Sequence, residues 1–139
     1  MSKWTERFMV IAQDVATWSK DPKRGVGAVI VKNRHIVATG YNGPPKGVID
    51  RTDISKERKL MRTIHAELNA ILDAKMDLTG CDMYCTYMPC AQCMAAIIQS
   101  GIATVYIPLF QPGLNTAWLA SWEEAETMAS EAGVEICLL

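Results

Sequence analysis

Residues 65–107 read HAELNAILDAKMDLTGCDMYCTYMPCAQCMAAIIQSGIATVYI. Within this stretch two helix-forming runs alternate with two short strand-forming ones. Ala66, Leu68, Ala70, Ile71, Leu72 and Ala74 predict a helix from about His65 to Lys75, and Gly80 closes the connection that follows. Met83 to Tyr87 reads as a strand; Pro89 suits the first position of a helix running to Ser100, and Gly101 suits its end. Thr104 to Ile107 gives another strand. Strands that alternate with helices imply an α/β fold, a largely parallel sheet covered on both faces.

The flanking sequence extends the same pattern. Trp4, Phe8, Ile11, Val15 and Trp18 recur at spacings of three or four, which predicts an amphipathic first helix whose aromatics pack into the core. Val26 to Val31 and Ile36 to Tyr41 read as two strands of a hairpin, joined across Asn33 and Arg34, with Asn suited to a turn that needs positive φ. From Asn42 to Lys59 the chain is punctuated by Gly43, Pro44, Pro45 and Gly47 and reads as a long loop, the kind that tends to carry function in a compact domain. Pro108 to Thr116 is a second loop. Ser121 followed by Glu124 has the form of a capping box for a helix to Ala132, and Val134 to Cys137 gives a last strand.

Length and composition set the bounds. A chain of 139 residues, 50% hydrophobic, has the common size of one domain, so 1–139 is read as a single unit. No run of about 18 apolar residues occurs and the start MSKWTERF has no apolar signal core, so a membrane span and a secretory peptide are not expected and the protein is placed in the cytoplasm. Five cysteines, an odd number, argue for reduced thiols or metal ligands over a disulfide framework. The net charge of −1 is unevenly spread: all 14 Lys and Arg lie at or before Lys75 with 8 acidic residues, and the remainder carries 7 acidic residues and no Lys or Arg. A small anion would therefore be met from the first half. A pI near 6.1 without a basic stripe favours a nucleotide over a polynucleotide as the ligand, so no nucleic-acid partner is expected.

The chemistry is carried by His65-Ala66-Glu67 and Pro89-Cys90-Ala91-Gln92-Cys93, each predicted at the start of its own helix. One His and two Cys make three zinc ligands. A structural zinc site usually closes with four protein ligands, whereas a catalytic one keeps a position for water, so three ligands beside the carboxylate of Glu67 is the catalytic count. Two helix N-termini aimed at the metal favour the thiolates and a bound hydroxide through their partial positive charge. Two thiolates also cancel the formal charge of Zn²⁺, which keeps the hydroxide nucleophilic while the ion still lowers the pKa of its water. Side chains two apart in a helix diverge by about 200°, so His65 must sit at or before the first turn if it is to share a site with Glu67. His-x-Glu with Pro-Cys-x-x-Cys is the arrangement of the zinc nucleobase deaminases. A lone Cys-x-x-Cys is weak and could be a redox pair, and Cys81 or Cys85 could close the site as a fourth ligand; both are more in keeping with the third strand. Cys137 and His35 are given no role.

With these motifs the sequence resembles the deoxycytidylate deaminase family over nearly its whole length. Ser19-Lys20-Asp21-Pro22 before Val26-Gly27-Ala28-Val29-Ile30-Val31, then Gly40-Tyr41-Asn42-Gly43, His65 to Ile71, Pro89 to Cys93 with Ala95-Ala96-Ile97-Ile98, and Ala132-Gly133-Val134 carry the likeness. The zinc motif is common to the deaminase superfamily; Ser-Lys-Asp-Pro, Gly-Tyr-Asn-Gly and Asn69 supply the specificity. The resemblance implies a cytidine-deaminase-like three-layer α/β/α sandwich with a five-stranded mixed sheet, commonly a homohexamer. It implies hydrolysis of dCMP to dUMP and ammonia, which feeds thymidylate synthesis: zinc hydroxide attacks C4 of cytosine while Glu67 shuttles protons to N3 and to the leaving amine. It also implies that Asn42 contacts the sugar, that the backbone of Ala66 meets the base, and that Ser19 and Lys20 take the phosphate with Tyr106 near the pocket. Regulation by dCTP and dTTP with Mg²⁺ at a second nucleotide site is a family trait, and the Gly40 to Gly43 loop is compatible with it. The segment 50–63 has no Cys or His for an additional structural zinc.

Four rivals share parts of the pattern. tRNA adenosine deaminases and guanine deaminases tend to have Glu before the Pro-Cys, where this chain has Met88, and cytidine deaminase typically has Cys at the position of His65. A zinc scaffold without activity would have no need of Glu67.

Overall fold

The computed structural model describes residues 2–21, 23–109, 111 and 116–139. At its centre lies β1 (Gly27–Lys32), whose sequence GAVIVK is buried at every position but the last, so the strand is covered on both faces. β2 (His35–Tyr41) pairs with it antiparallel through the two-residue turn Asn33–Arg34. Both turn residues have positive φ, 50° and 63°, the geometry whose twist matches that of the strands. β3 (Asp82–Cys85) pairs with the other side of β1, again antiparallel; β4 (Thr104–Ile107) and β5 (Glu135–Leu138) then add in parallel, for the order β2-β1-β3-β4-β5. The five-stranded mixed sheet is the one the resemblance implies; the reading of a largely parallel sheet holds only for the β3-β4-β5 half.

Helices divide unevenly over the two faces. α1 (Lys3–Ala16) lays Phe8, Met9, Ala12 and Val15 on Val29, Val31 and Tyr84. On the other face α3 (Ala66–Ala74), α4 (Ala91–Gln99) and α5 (Leu119–Ala132) cover Ala28, Ile30, Met83, Cys85, Val105 and Ile107. Two glycines allow backbones to close in. A Cβ on Gly27 would overlap the backbone of α1 at Ala12 and Ala16, and one on Gly40 would overlap the carbonyl of Ala66 and the amide of Ala70. The second contact fixes the start of α3 against the end of β2.

Several expectations are corrected. Trp18 follows the end of α1 and is 55% exposed, packed edge-on against Tyr41 and not in the core. The loop expected over Asn42–Lys59 gives way to α2 (Lys56–Arg62), capped by the Ser55 hydroxyl, which accepts the amide of Arg58 at 3.2 Å. It has no buried residue, so no apolar stripe announced it. Pro89 does not open α4: Cys90 is extended at φ −70°, ψ 171° and is itself the N-cap. Ser121 is no N-cap either. It lies inside α5, and its hydroxyl accepts the amide of Ala91 at 2.8 Å. The third strand ends at Cys85, two residues early. Of the loop expected over Pro108–Thr116, residues 110 and 112–115 lie outside the described residues, as does Pro22 of the Ser-Lys-Asp-Pro stretch; Thr116 opens a short 3-10 turn to Trp118.

Candidate metal centre

Two chain segments deliver the candidate ligands to one end of the sheet. The first runs from β2. Gly43 and Ile64 exchange backbone hydrogen bonds of 3.2 and 2.8 Å, which draws the chain before His65 alongside the end of the hairpin. Asn69 reaches back from α3 and donates to the carbonyl of Tyr41 at 2.8 Å. His65 then stands as the extended N-cap of α3 at φ −67°, ψ 154°, where its side chain and that of Glu67 can face one place despite their spacing. The second segment leaves β3. Met88 donates its amide to the side chain of Gln111 at 3.0 Å, and Gln111 in turn donates to the Pro108 carbonyl at 3.1 Å. Cys90 caps α4, Cys93 falls in its first turn, and Ser121 of α5 takes up the Ala91 amide.

His65 Nδ1 lies 3.5 Å from Cys90 Sγ and 3.4 Å from Cys93 Sγ, and the ligand atoms all fall within 4.8 Å of one another. Zinc at about 2.3 Å from sulfur and about 2.0 Å from nitrogen, with tetrahedral angles, would set sulfur and nitrogen about 3.5 Å apart, so this donor set fits the ion. Cys81 and Cys85 stand outside the group among the described residues, leaving three protein donors and one open position. Hydrogen bonding from the Cys93 thiol, helped by His65, holds Cys90 down to about 4, far below the ordinary thiol range, while the same bond and burial hold Cys93 above that range. His65 is raised, first by its hydrogen bond to Cys90, with burial opposing. Two sulfur donors beside one imidazole suit zinc.

Glu67 is 4% exposed, and burial lifts its carboxyl above the ordinary range. Cys85, fully buried on the sheet beneath, is pushed well up by burial and by the nearby Glu67 charge, so it is an inert thiol. The sheet side of the site is thus buried. At its edge the Trp118 ring stands edge-on to His65 at 6.3 Å; elsewhere, in the connection before β1, the Arg24 guanidinium lies 4.6 Å over the ring of Tyr87. Neither residue belongs to a spacing pattern; Trp118 reaches His65 only through the placement of α5.

The residues expected at a substrate separate into two sets. His65, Glu67, Cys90, Cys93 and Ala66 converge; Ala66 is fully buried at the first helical position, where backbone N–H groups lack intrahelical partners. Asn42 lies beside them, but its amide serves the backbone, accepting from Val26 at 2.8 Å and donating to the carbonyl of Arg24 at 3.1 Å. The Ser19 hydroxyl is likewise spent, donating to the Asn42 carbonyl at 2.9 Å and accepting the Asp21 amide at 3.2 Å, while Lys20 is exposed. Tyr106 is not brought to the centre. It stacks on Tyr84 with centroids 4.5 Å apart, on the α1 face of the sheet, because alternate β4 residues Val105 and Ile107 take the other face.

Comparisons with known proteins agree with this geometry. Residues 2–109 match the profile of the family described as the cytidine and deoxycytidylate deaminase zinc-binding region. An uncharacterized deaminase of the luxG 3′ region of Aliivibrio fischeri is 47% identical over 140 residues, covering 100% of this chain and 95% of that protein. Human deoxycytidylate deaminase is 44% identical over 112 residues, covering 74% of this chain; the match spans 63% of the human protein, less than two thirds of its length. The crystal structure of the dCMP deaminase of cyanophage S-TIM5 in complex with dCMP and dUMP superposes with a TM-score of 0.82 at 26% identity, covering 100% of this chain and 99% of that one.

Proposed function

The chain belongs to the cytidine and deoxycytidylate deaminase zinc-binding family, and from that premise we propose that it acts as one deaminase domain, hydrolysing dCMP to dUMP and ammonia. The observation that carries the reaction class is the triangle of His65, Cys90 and Cys93 with the buried carboxyl of Glu67 beside it. Likeness to a dCMP deaminase solved with its substrate and product supports the choice of dCMP.

His65, Cys90 and Cys93 would hold the zinc. When bound, the ion supplies a Lewis acid that brings the pKa of a bound water to about 7. Glu67 does the proton work. It takes a proton from the attacking water, gives it to N3 of the ring as C4 becomes tetrahedral, and passes the second proton to the amino nitrogen, which leaves as ammonia. Its burial suits this cycle, because a raised carboxyl pKa brings its proton affinity closer to that of the groups it serves. The backbone of Ala66 meets the base at the N-terminus of α3, and Asn42 holds the wall against which the sugar rests. The buried sheet side around Cys85 limits solvent at the ring.

The fuller reading places dUMP supply for thymidylate synthesis in the cytoplasm, with dCTP and dTTP acting with Mg²⁺ as effectors and a homo-oligomer, a hexamer, as the assembly. No helix among the described residues is long and apolar enough to cross a membrane. Leu60 and Met61 of α2, 54% and 79% exposed, give the protomer apolar surface suited to assembly. The deciding experiment follows cytosine absorbance when zinc-loaded protein meets dCMP, cytidine or dCTP. Conversion of dCMP alone is expected. Equal rates on cytidine would overturn the monophosphate reading, and an unchanged rate at saturating dTTP would remove the effector reading.

A further inference from the structure

We propose that Trp118 holds the pyrimidine ring of the substrate, its indole lying against the base beside His65. The assignment rests on the reading of a cytosine nucleotide as substrate.

The place of this side chain is fixed from two directions. Trp118 is the N-cap of α5, at φ −91° and ψ −5°, and the helix it opens buries Trp122 and Ala125 in the core. Ser121, in the first turn of that helix, accepts the amide of Ala91 at 2.8 Å, which ties the start of α5 to the residue after Cys90. The indole is thereby mounted on a turn that is bonded to one metal-ligand segment. It reaches the other segment directly: its centroid lies 6.3 Å from that of the His65 ring, with the two planes at 71°.

Rings so close to perpendicular do not cover each other face to face, so His65 takes at most one face of the indole. Trp118 is 37% exposed, whereas Ala66, Glu67 and Cys85 are buried. A large apolar surface is therefore left open at the metal centre, and the chemistry of a cytosine nucleotide decides which part of it meets that surface. The atom attacked is C4. The sugar is borne by N1, opposite C4 across the six-membered ring. With C4 brought to the position left open by His65, Cys90 and Cys93, the base lies beside these ligands and the sugar and phosphate point away. A side chain beside His65 thus meets the base first. An aromatic face stacks on a pyrimidine and keeps water from it.

The test measures KM and kcat for dCMP and deoxycytidine, and the affinity for dUMP, in zinc-loaded wild type, Trp118→Ala, Trp118→Phe and Leu119→Ala. Zinc content and thermal midpoint are measured on each, and Leu119, exposed and next in sequence, is the control. Trp118→Ala is expected to raise KM for both substrates and to weaken dUMP roughly tenfold to a hundredfold, with kcat much less affected. Trp118→Phe should recover most of the loss, since a phenyl ring still offers a face, and Leu119→Ala should match the wild type. Because the contact is to the base, the preference for dCMP over deoxycytidine should not move; a loss confined to dCMP would overturn the assignment by showing a phosphate contact. Were Trp118→Ala to lose zinc or fold, a dUMP titration of Trp118→Phe decides, followed by calorimetry and by tryptophan emission. Binding should perturb the emission of the wild type and leave that of Trp118→Phe unchanged, and equal responses overturn the assignment. A wild type that converts dCMP, with dUMP affinity unmoved in zinc-loaded Trp118→Ala, overturns the assignment alone. No conversion of either substrate by the wild type overturns the substrate reading and the assignment with it.

Discussion

Helices α2 and α3 are separated by three residues, yet they are held in opposite ways. α3 buries Ala66, Glu67 and Ala70, sits against the backbone of Gly40, and is tied back to β2 through Asn69. α2 buries none of its residues and depends on its Ser55 cap. The contrast follows what each segment does. A helix start that must place a metal ligand within tenths of an ångström needs several independent constraints, while a seven-residue helix with no packed face has little stability of its own in water. Substitutions in the two regions should therefore differ in kind as well as in size.

Glu67 gives the largest expected effect. Glu67→Gln keeps the shape of the side chain and removes its ability to carry a proton, so turnover of dCMP should fall by about 10²- to 10⁴-fold. Zinc content and fold should be retained, because the carboxyl is not among the three donors. Elemental analysis beside the kinetics checks this, and a variant that lost its metal in proportion to its activity would show Glu67 to be a ligand instead. Gly40→Ala comes next. The added methyl meets the backbone of Ala66 and Ala70, which cannot rotate out of the way, so a cost at the upper end of about 1–3 kcal/mol is expected in chemical denaturation. Weakened zinc retention should accompany it, since α3 carries His65. A Gly40→Ala protein of normal stability would mean that α3 is free to shift.

How much of this was legible in the sequence follows the same division. The α1 stripe, the 33–34 turn and the helices bearing the metal ligands were readable, because buried residues leave periodic patterns and a two-residue turn leaves its own signature. His65, Cys90 and Cys93 were readable as types at a spacing. α2 was not, because a helix with no buried residue carries no apolar stripe. The role of Ser121 was hidden for another reason: its spacing to Glu124 imitates a capping box, while its hydroxyl serves the amide of Ala91 thirty residues away. Ser19 and Asn42 show a related limit of the sequence, which reveals a polar side chain but not the backbone groups it already engages.

The smallest effects sharpen the comparison most, because they set one lost hydroxyl against another. Ser121→Ala leaves the amide of Ala91 without its partner at the start of a packed helix, next to Cys90, and should cost about 1–3 kcal/mol of global stability. Ser55→Ala removes the cap of α2, a loss of about 1 kcal/mol to the helix itself. Because α2 contributes no buried side chain, that loss should remain local: amide exchange across residues 56–62 accelerates, while the denaturation midpoint of the protomer barely moves. The contrast would break if Ser55→Ala lowered global stability as much as Ser121→Ala, and if the deficit shrank on dilution. Leu60 and Met61 would then be packed against a second copy in the wild-type protein, and the stability of α2 would be a property of the assembly, not of the chain.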